Sequence, residues 1–172
     1  MNSAPPLATI TVGVIVERSK GMTQWADFFW RPVGVLAGAP ETAPWTRLSG
    51  DDERATFYAG ATPVELHRTE TTNYRDNLAS GTPLLWVALA PTDADPPYEL
   101  LTVTADPAEG EALTEAGGNL VEAVSMPLTM QETIGEFVAR HHVERPFSKR
   151  KRDRANPEAL ARGGPPEPQD RK

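Results

Sequence analysis

Proline limits the length of every regular element that this chain can form. The 172 residues contain 17 prolines and 13 glycines, which recur between short apolar runs. Because proline lacks a backbone N–H, it favours turns, edge strands and helix ends over long helices. A chain of this length is sufficient for one domain with an extension. We therefore expect a domain of many short strands and few helices.

The clearest strand pattern lies at residues 8–18, where Ile10, Val12, Val14 and Val16 alternate with polar or small residues. Apolar side chains at every second position predict a strand with one buried face. In the next run, residues 28–36, Pro32 indicates an edge, a bulge or a bend. Further short strands are predicted at 45–48, 55–58, 63–68, 84–90, 98–104 and 120–124, with a hairpin at Gly60 and with 84–90 in a central position.

Three segments show helical signals. The first is residues 71–80; the second begins at Asp106, a predicted N-cap that forms a capping box with Glu109. The third carries the apolar stripe Met130, Ile134, Phe137, Val138 and His141, begins with a capping box of Thr129 and Glu132, and ends near Val143. About eight short strands and three helices predict an α+β domain over residues 1–144. Its strands form a mainly antiparallel sheet or partly open barrel, with the C-terminal helix packed on it.

Residues 145–172 differ in composition from the rest. They contain nine Lys or Arg and four Asp or Glu, a net charge of +5. Residues 1–144 contain eight Lys or Arg and 20 Asp or Glu, a net charge of -12. Few large apolar residues and several prolines predict disorder. The basic run Lys149, Arg150, Lys151, Arg152 and Arg154 predicts either docking on a protein partner or a merely solvating tail. Nucleic acid is a poor partner because the acidic body would repel phosphate.

Composition also excludes several kinds of chemistry. The chain has no cysteine, which excludes disulfides, thiolate metal sites and thiol nucleophiles. We expect no membrane span, because no apolar run reaches about 18 residues, and we expect a cytoplasmic location. No nucleotide-binding or nucleophile motif is present, so the sequence predicts a non-enzymatic protein without a resident cofactor or metal.

Two groups have some features of a metal site, and each has a simpler interpretation. The first comprises Glu65, His67 and Glu70, and the second comprises His141, His142 and Glu144. An exposed polar strand face explains the first group, and a cationic helix end explains the second. We predict no metal at either position.

Aromatic and basic residues give a weak indication of a ligand site. Trp25 and Trp45 flank loops, where a half-exposed ring can stack on a ligand, although core packing is the favoured explanation for them. Arg31, Arg68 and Arg75 are candidates to hold phosphate groups. The polar residues 71–77 form either one wall of a cleft or the solvated face of a helix.

Five stretches together resemble an uncharacterised bacterial family, a domain of unknown function. They are ITVGVIVER at 10–18, WADFFWRP at 25–32, FYAGATPVELHRTETTNYRDNL at 57–78, residues 98–117, and FVARHHVERPFSKRKRDR at 137–154. Genes of that family lie beside those of molybdenum- or tungsten-dependent formate dehydrogenase and its accessory proteins. The resemblance implies an accessory or assembly role, with a formate dehydrogenase subunit or maturation factor as partner. The alternative is a small-molecule binding module for a molybdopterin-type cofactor or nucleotide.

Overall fold

The computed structural model describes residues 4–22 and 27–144. These residues form seven β-strands and three α-helices, and a 3-10 turn at Arg68–Glu70 leads into the first helix. In chain order the elements are β1 (Ala8–Lys20), β2 (Phe28–Ala37), β3 (Thr46–Gly50), β4 (Arg54–Leu66), α1 (Thr71–Ala79), β5 (Leu84–Pro91), β6 (Tyr98–Thr104), α2 (Pro107–Glu115), β7 (Leu120–Ser125) and α3 (Leu128–His141). The predicted α+β class is confirmed, and the predicted tail from residue 145 lies outside the described residues.

The strands form two antiparallel sheets. The first has the order β2-β1-β4-β3 and the second the order β6-β5-β7, so β5 is central, as predicted. Strand β2 contacts β7, and β4 contacts β6, which brings the sheets together along two lines. Val12, Val14 and Val16 of β1 are fully buried between them, because alternate side chains of a strand share one face.

Four strand pairings are interrupted by a bulge of one extra residue. The extra residues are Val33 in β2, Leu48 in β3, Ala59 in β4 and Leu101 in β6. The predicted hairpin at Gly60 is wrong, because β4 is one continuous strand that pairs with β1 along its length. Gly60 adopts a φ of +124°, which glycine tolerates, and it lies beside the bulge rather than in a turn.

The helices pack beside the second sheet and against one another. α1 contacts α3, and α2 contacts all three strands of the second sheet. The predicted stripe of α3 is confirmed, since Met130, Ile134, Phe137 and Val138 are buried. The capping box predicted at its start is wrong: Pro127 occupies the N-cap, and Gln131 donates from Nε2 to the carbonyl of Met126.

The start of α2 follows its prediction in part. The Asp106 carboxylate caps the helix by accepting from the amide of Ala108 at 2.9 Å, and Pro107 lies in the first turn. Glu109 does not reach back to the Asp106 amide as a capping box requires. Instead, the Thr104 hydroxyl accepts from that amide and donates to the Glu109 carboxylate. Thr104 therefore connects the two groups that were expected to bond directly.

Candidate functional site

An arginine surrounded by aromatic rings lies at one end of the four-stranded sheet. Arg18 continues the even-numbered face of β1 beyond the buried Val16 and pairs across the sheet with Trp30 and Ala55. Its guanidinium carbon lies 4.3 Å from the ring centroid of Phe28, 5.2 Å from Phe57 and 5.9 Å from Trp30. We refer to Arg18, Phe28, Trp30, Trp45 and Phe57 as the Arg18 cluster.

Within the Arg18 cluster the aromatic rings also contact one another. Trp30 packs edge-on against Trp45, with ring centroids 5.8 Å apart, and lies 5.6 Å from Phe57. Trp45 has a φ of +64°, a backbone conformation that residues other than glycine rarely adopt. Its amide donates to the carbonyl of Tyr58, which fixes the loop before β3 on the edge of the sheet. Trp45 is half-buried, and the predicted site residue Trp25 lies outside the described residues.

The opposite face of the same sheet holds two of the other basic residues. Glu17 accepts from Arg54 at 2.9 Å and lies 3.6 Å from Arg31, one of the predicted phosphate-binding residues. Both arginines are more than half exposed. Arg31 pairs with Glu17, and cross-strand partners share a face of the sheet. Arg18 follows Glu17 directly in β1, so Arg18 and Arg31 project from opposite faces. Arg31 is therefore an ion-pair partner of Glu17 in this structure.

The predicted residues Arg68 and Arg75 lie at the other end of the sheet. Leu66, which precedes Arg68, pairs with Ala8, whereas Arg31 pairs with Glu17 nine residues further along β1. At about 3.3 Å per residue, the two positions are roughly 30 Å apart. The structure therefore does not bring Arg31 together with Arg68, and a ligand of ordinary size cannot contact both.

Arg75 belongs to a hydrogen-bond chain that joins α1 to the end of α3. Its guanidinium donates to Nε2 of His142 at 2.9 Å, and Nδ1 of His142 lies 3.1 Å from the Thr71 hydroxyl. Since Thr71 donates to the carbonyl of Arg68, the His142 Nδ1–H must be the donor in that contact. The chain links α1 to the residue that follows α3.

The polar residues 71–77 include both exposed and buried side chains. Asn77 is buried and donates from Nδ2 to the carbonyls of Leu84 and Ala105 at 2.8 and 3.0 Å. Its Oδ1 accepts from the Leu84 amide at 3.0 Å. Asn73 donates to the carboxylates of Glu70 and Asp106. Asn73 and Asn77 therefore connect α1 to the beginnings of β5 and α2.

Tyr74 is the group whose proton affinity the fold changes most among the described residues. Burial raises the pKa of Tyr74 to about 12, with smaller contributions from the carboxylates of Asp106 and Glu70. A hydrogen bond from the amide of His67 acts in the opposite direction. The phenol is 2% exposed and packs against Phe137, so it is a core group with no access to a substrate.

No cluster of three or more potential metal ligands occurs in residues 4–22 and 27–144. Nε2 of His67 lies 3.4 Å from a carboxylate oxygen of Glu65, which is the expected result for two residues on one strand face. The ring of His141 lies 4.7 Å from that of Phe137, whereas His142 faces Arg75 and Thr71. The two histidines therefore have separate environments.

An exposed apolar surface lies on β2, at the edge of the first sheet. The side chain of Phe29 is 58% exposed, that of Leu36 is 40% exposed, and that of the bulge residue Val33 is 37% exposed. Phe29 and Leu36 pair with Ser19 and Gly13 and so share the outer face of the sheet. We refer to these three residues as the β2 surface. Among the described residues, the outer edge of β2 has no hydrogen-bonded strand neighbour.

One family model matches most of the chain. It covers residues 11–151 and is described as a protein of unknown function, DUF3305. The chain belongs to the DUF3305 family. No curated protein matches this DUF3305 chain, and no solved structure matches it. Within the described part of the chain, no helix is long and apolar enough to cross a membrane.

Sequence reasoning missed Arg18 of this DUF3305 chain, although one signal was present. Arg18 occupies the next even-numbered position after Val12, Val14 and Val16, so strand alternation alone places it on the buried face. The aromatic residues around it come from β2, from β4 and from the loop before β3. Their convergence depends on the strand order, which the sequence pattern does not specify.

Proposed function

We propose that this protein is a cytoplasmic, non-enzymatic accessory protein that acts by docking on a formate dehydrogenase subunit or maturation factor. The observation that carries the docking role is the β2 surface, where Phe29, Val33 and Leu36 are exposed on one strand. Apolar side chains grouped at a sheet edge are typical of sites that bind another protein. The choice of formate dehydrogenase rests on the family resemblance of the sequence.

The form of the edge favours contact through side chains over the addition of a strand. Pro32 has no backbone N–H, and the bulge at Val33 interrupts the regular spacing of hydrogen-bonding groups. Both features oppose the pairing of a new strand along β2. A partner with an apolar groove would instead take up the side chains of Phe29 and Leu36. Because these side chains are already about half covered, each contributes roughly 1 kcal/mol when a partner buries the rest.

Affinity purification of tagged full-length protein from its native host tests the proposal. Wild type is compared with Phe29→Ser combined with Leu36→Ser, and the matched control is Leu101→Ser. Leu101 is also an exposed bulge residue, at 46%, but it lies in β6 of the other sheet. We expect wild type and the control to retain a formate dehydrogenase subunit or maturation factor. We expect the double variant to retain at least about tenfold less.

A truncation that ends at Glu144 separates the β2 surface from the basic run at 149–154. If the truncated protein retains the partner, the β2 surface is sufficient for docking. If the partner is lost on truncation but not in the double variant, the basic tail is the docking element and the role of the β2 surface is refuted. If neither wild type nor the control retains a protein of this system, the assignment to formate dehydrogenase is wrong.

A further inference from the structure

The Arg18 cluster contains a buried nitrogen that has no hydrogen-bonding partner among the described residues. This nitrogen is Nε of Arg18, in the part of the chain that the structure describes. Among the described residues, no carboxylate lies within ion-pair distance of Arg18. Fewer than one buried polar group in ten is left unpaired in folded proteins, so each such group calls for a physical reason.

The nearest carboxylate along the chain is directed away from Arg18. Glu17 projects from the opposite face of β1 and is shared by Arg31 and Arg54, at 3.6 and 2.8 Å. Two arginines thus share one acid on the outer face, whereas Arg18 on the inner face has none. Aromatic faces attract the positive charge, but they accept hydrogen bonds poorly, and a guanidinium carries five N–H donors.

The cluster is also accessible. Arg18, Trp30, Trp45 and Phe57 are half-buried rather than buried, and Phe28 is 39% exposed. An incoming group can therefore reach the rings, and because Nε is buried it would contact the guanidinium through the terminal nitrogens. Lys20, the next residue on this face of β1, is exposed and adds a second positive charge at the same end of the sheet.

We propose that the Arg18 cluster is a binding site for an oxyanion, a carboxylate or a phosphate, that is attached to an apolar or aromatic group. The guanidinium presents paired N–H donors whose spacing matches two oxygens of either anion. The half-exposed rings of Phe28, Trp30 and Trp45 provide the apolar contact. Since water is partly excluded by these rings, the charge-assisted hydrogen bonds are stronger than they would be on an open surface. This site is distinct from the β2 surface, which lies on the outer face, and it does not depend on the proposed partner.

The test is a titration of full-length protein observed by NMR, through the Arg Nε–H and indole N–H signals. Four probes separate the requirements: benzoate, phenyl phosphate, inorganic phosphate and the neutral benzyl alcohol. We expect benzoate or phenyl phosphate to shift the signals of Arg18 and Trp30 to saturation, at least tenfold more tightly than inorganic phosphate or benzyl alcohol. Whichever of the two aromatic probes binds more tightly identifies the oxyanion. Saturation by benzyl alcohol at equal affinity, or no saturable shift with any probe, would overturn the proposal.

Variants connect the binding to Arg18 itself. Arg18→Met keeps the aliphatic stem and removes the charge, and we expect the preferred probe to bind at least tenfold more weakly. Arg18→Lys keeps the charge without the planar fork, and we expect an intermediate loss. Arg54→Met is the matched control on the opposite face of the sheet and should bind as wild type does. If Arg18→Met does not fold, Phe28→Ala, which removes an exposed ring of the cluster, should weaken aromatic probes more than inorganic phosphate. Unchanged binding in a folded Arg18 variant, or in Phe28→Ala, refutes the site.

Discussion

The four-stranded sheet and the half of the chain that follows it use their polar side chains differently. In residues 67–142, the buried polar side chains of Thr71, Asn77, Thr104 and Asp106 all have hydrogen-bond partners inside the domain. In the sheet, the buried Nε of Arg18 has none within residues 4–22 and 27–144. A satisfied buried group stabilises the fold, whereas an unsatisfied one retains the capacity to bind something else. The comparison therefore supports the proposal that the Arg18 cluster binds a ligand, whereas the polar side chains of the second half stabilise the fold.

The charge of the two halves supports the same division. Residues 1–66 contain five Lys or Arg and seven Asp or Glu, a net charge of -2, whereas residues 67–142 contain three and 12, a net charge of -9. An anion approaching the molecule is repelled far less by the sheet than by the second half. The Arg18 cluster lies in the half where the binding of an oxyanion is electrostatically less costly.

The largest effect that the comparison predicts is the loss of Asn77. Asn77→Ala removes the partner of three backbone groups, the amide and carbonyl of Leu84 and the carbonyl of Ala105. Leaving such groups unpaired in the interior should lower the free energy of unfolding by about 3 kcal/mol. Urea denaturation measures the change. The control is Asp76→Ala, which removes a neighbouring, 67% exposed carboxylate and should change stability by less than about 0.5 kcal/mol. Equal effects of the two variants would contradict a structural role for Asn77.

A smaller effect is expected from filling the contact between α2 and β5. Gly110 lies against the ring of Trp86, and a Cβ at this position would lie 2.3 Å from Cγ and 2.6 Å from Cδ1. Gly110→Ala should therefore destabilise the protein by about 2 kcal/mol, measured by thermal unfolding. Gly135→Ala in α3 is the control, because its Cβ would lie 4.0 Å from Leu78. The gain in helix propensity should stabilise that variant by about 0.5–1 kcal/mol. If Gly110→Ala were as stable as wild type, the ring of Trp86 would have to move away from the added Cβ without cost.

Local sequence patterns predicted most helices and strands. The strand order and the continuity of β4 depend on pairing between distant segments, which local patterns do not contain. Alternation in β1, the Asp106 cap and the stripe of α3 depend on neighbours along the chain, and each was predicted correctly. The continuity of β4 was missed, because Gly60 signals a turn unless the partner strand is known to continue past it. The convergence of Phe28, Trp30 and Phe57 on Arg18 follows from the order β2-β1-β4. No local pattern contains that order.

Tyr74 makes the stability of the second half depend on pH. The fold raises the pKa of this phenol from 10.0 to about 12, so the folded state retains a proton that the unfolded state releases. The resulting stabilisation is fully present below pH 10 and is lost as the pH rises from 10 to about 12. Across that interval wild type should lose about 2 kcal/mol more than Tyr74→Phe, which has no phenol proton. Urea unfolding at a series of pH values provides the measurement, and parallel curves for the two proteins would show that Tyr74 is not buried in solution.

The smallest predicted effect on stability is at Arg18, and it is the one that separates the two halves most directly. Arg18→Met removes attraction to three rings, worth about 1–2 kcal/mol, and also removes the cost of a partly desolvated charge with an unpaired Nε. Because the two terms oppose each other, the free energy of unfolding should change by less than about 1 kcal/mol. Urea denaturation of Arg18→Met beside Asn77→Ala measures the contrast. If Arg18→Met lowered the free energy of unfolding as much as Asn77→Ala, both halves would use their polar groups for stability. Arg18 would then be a structural residue and not one available to bind an oxyanion.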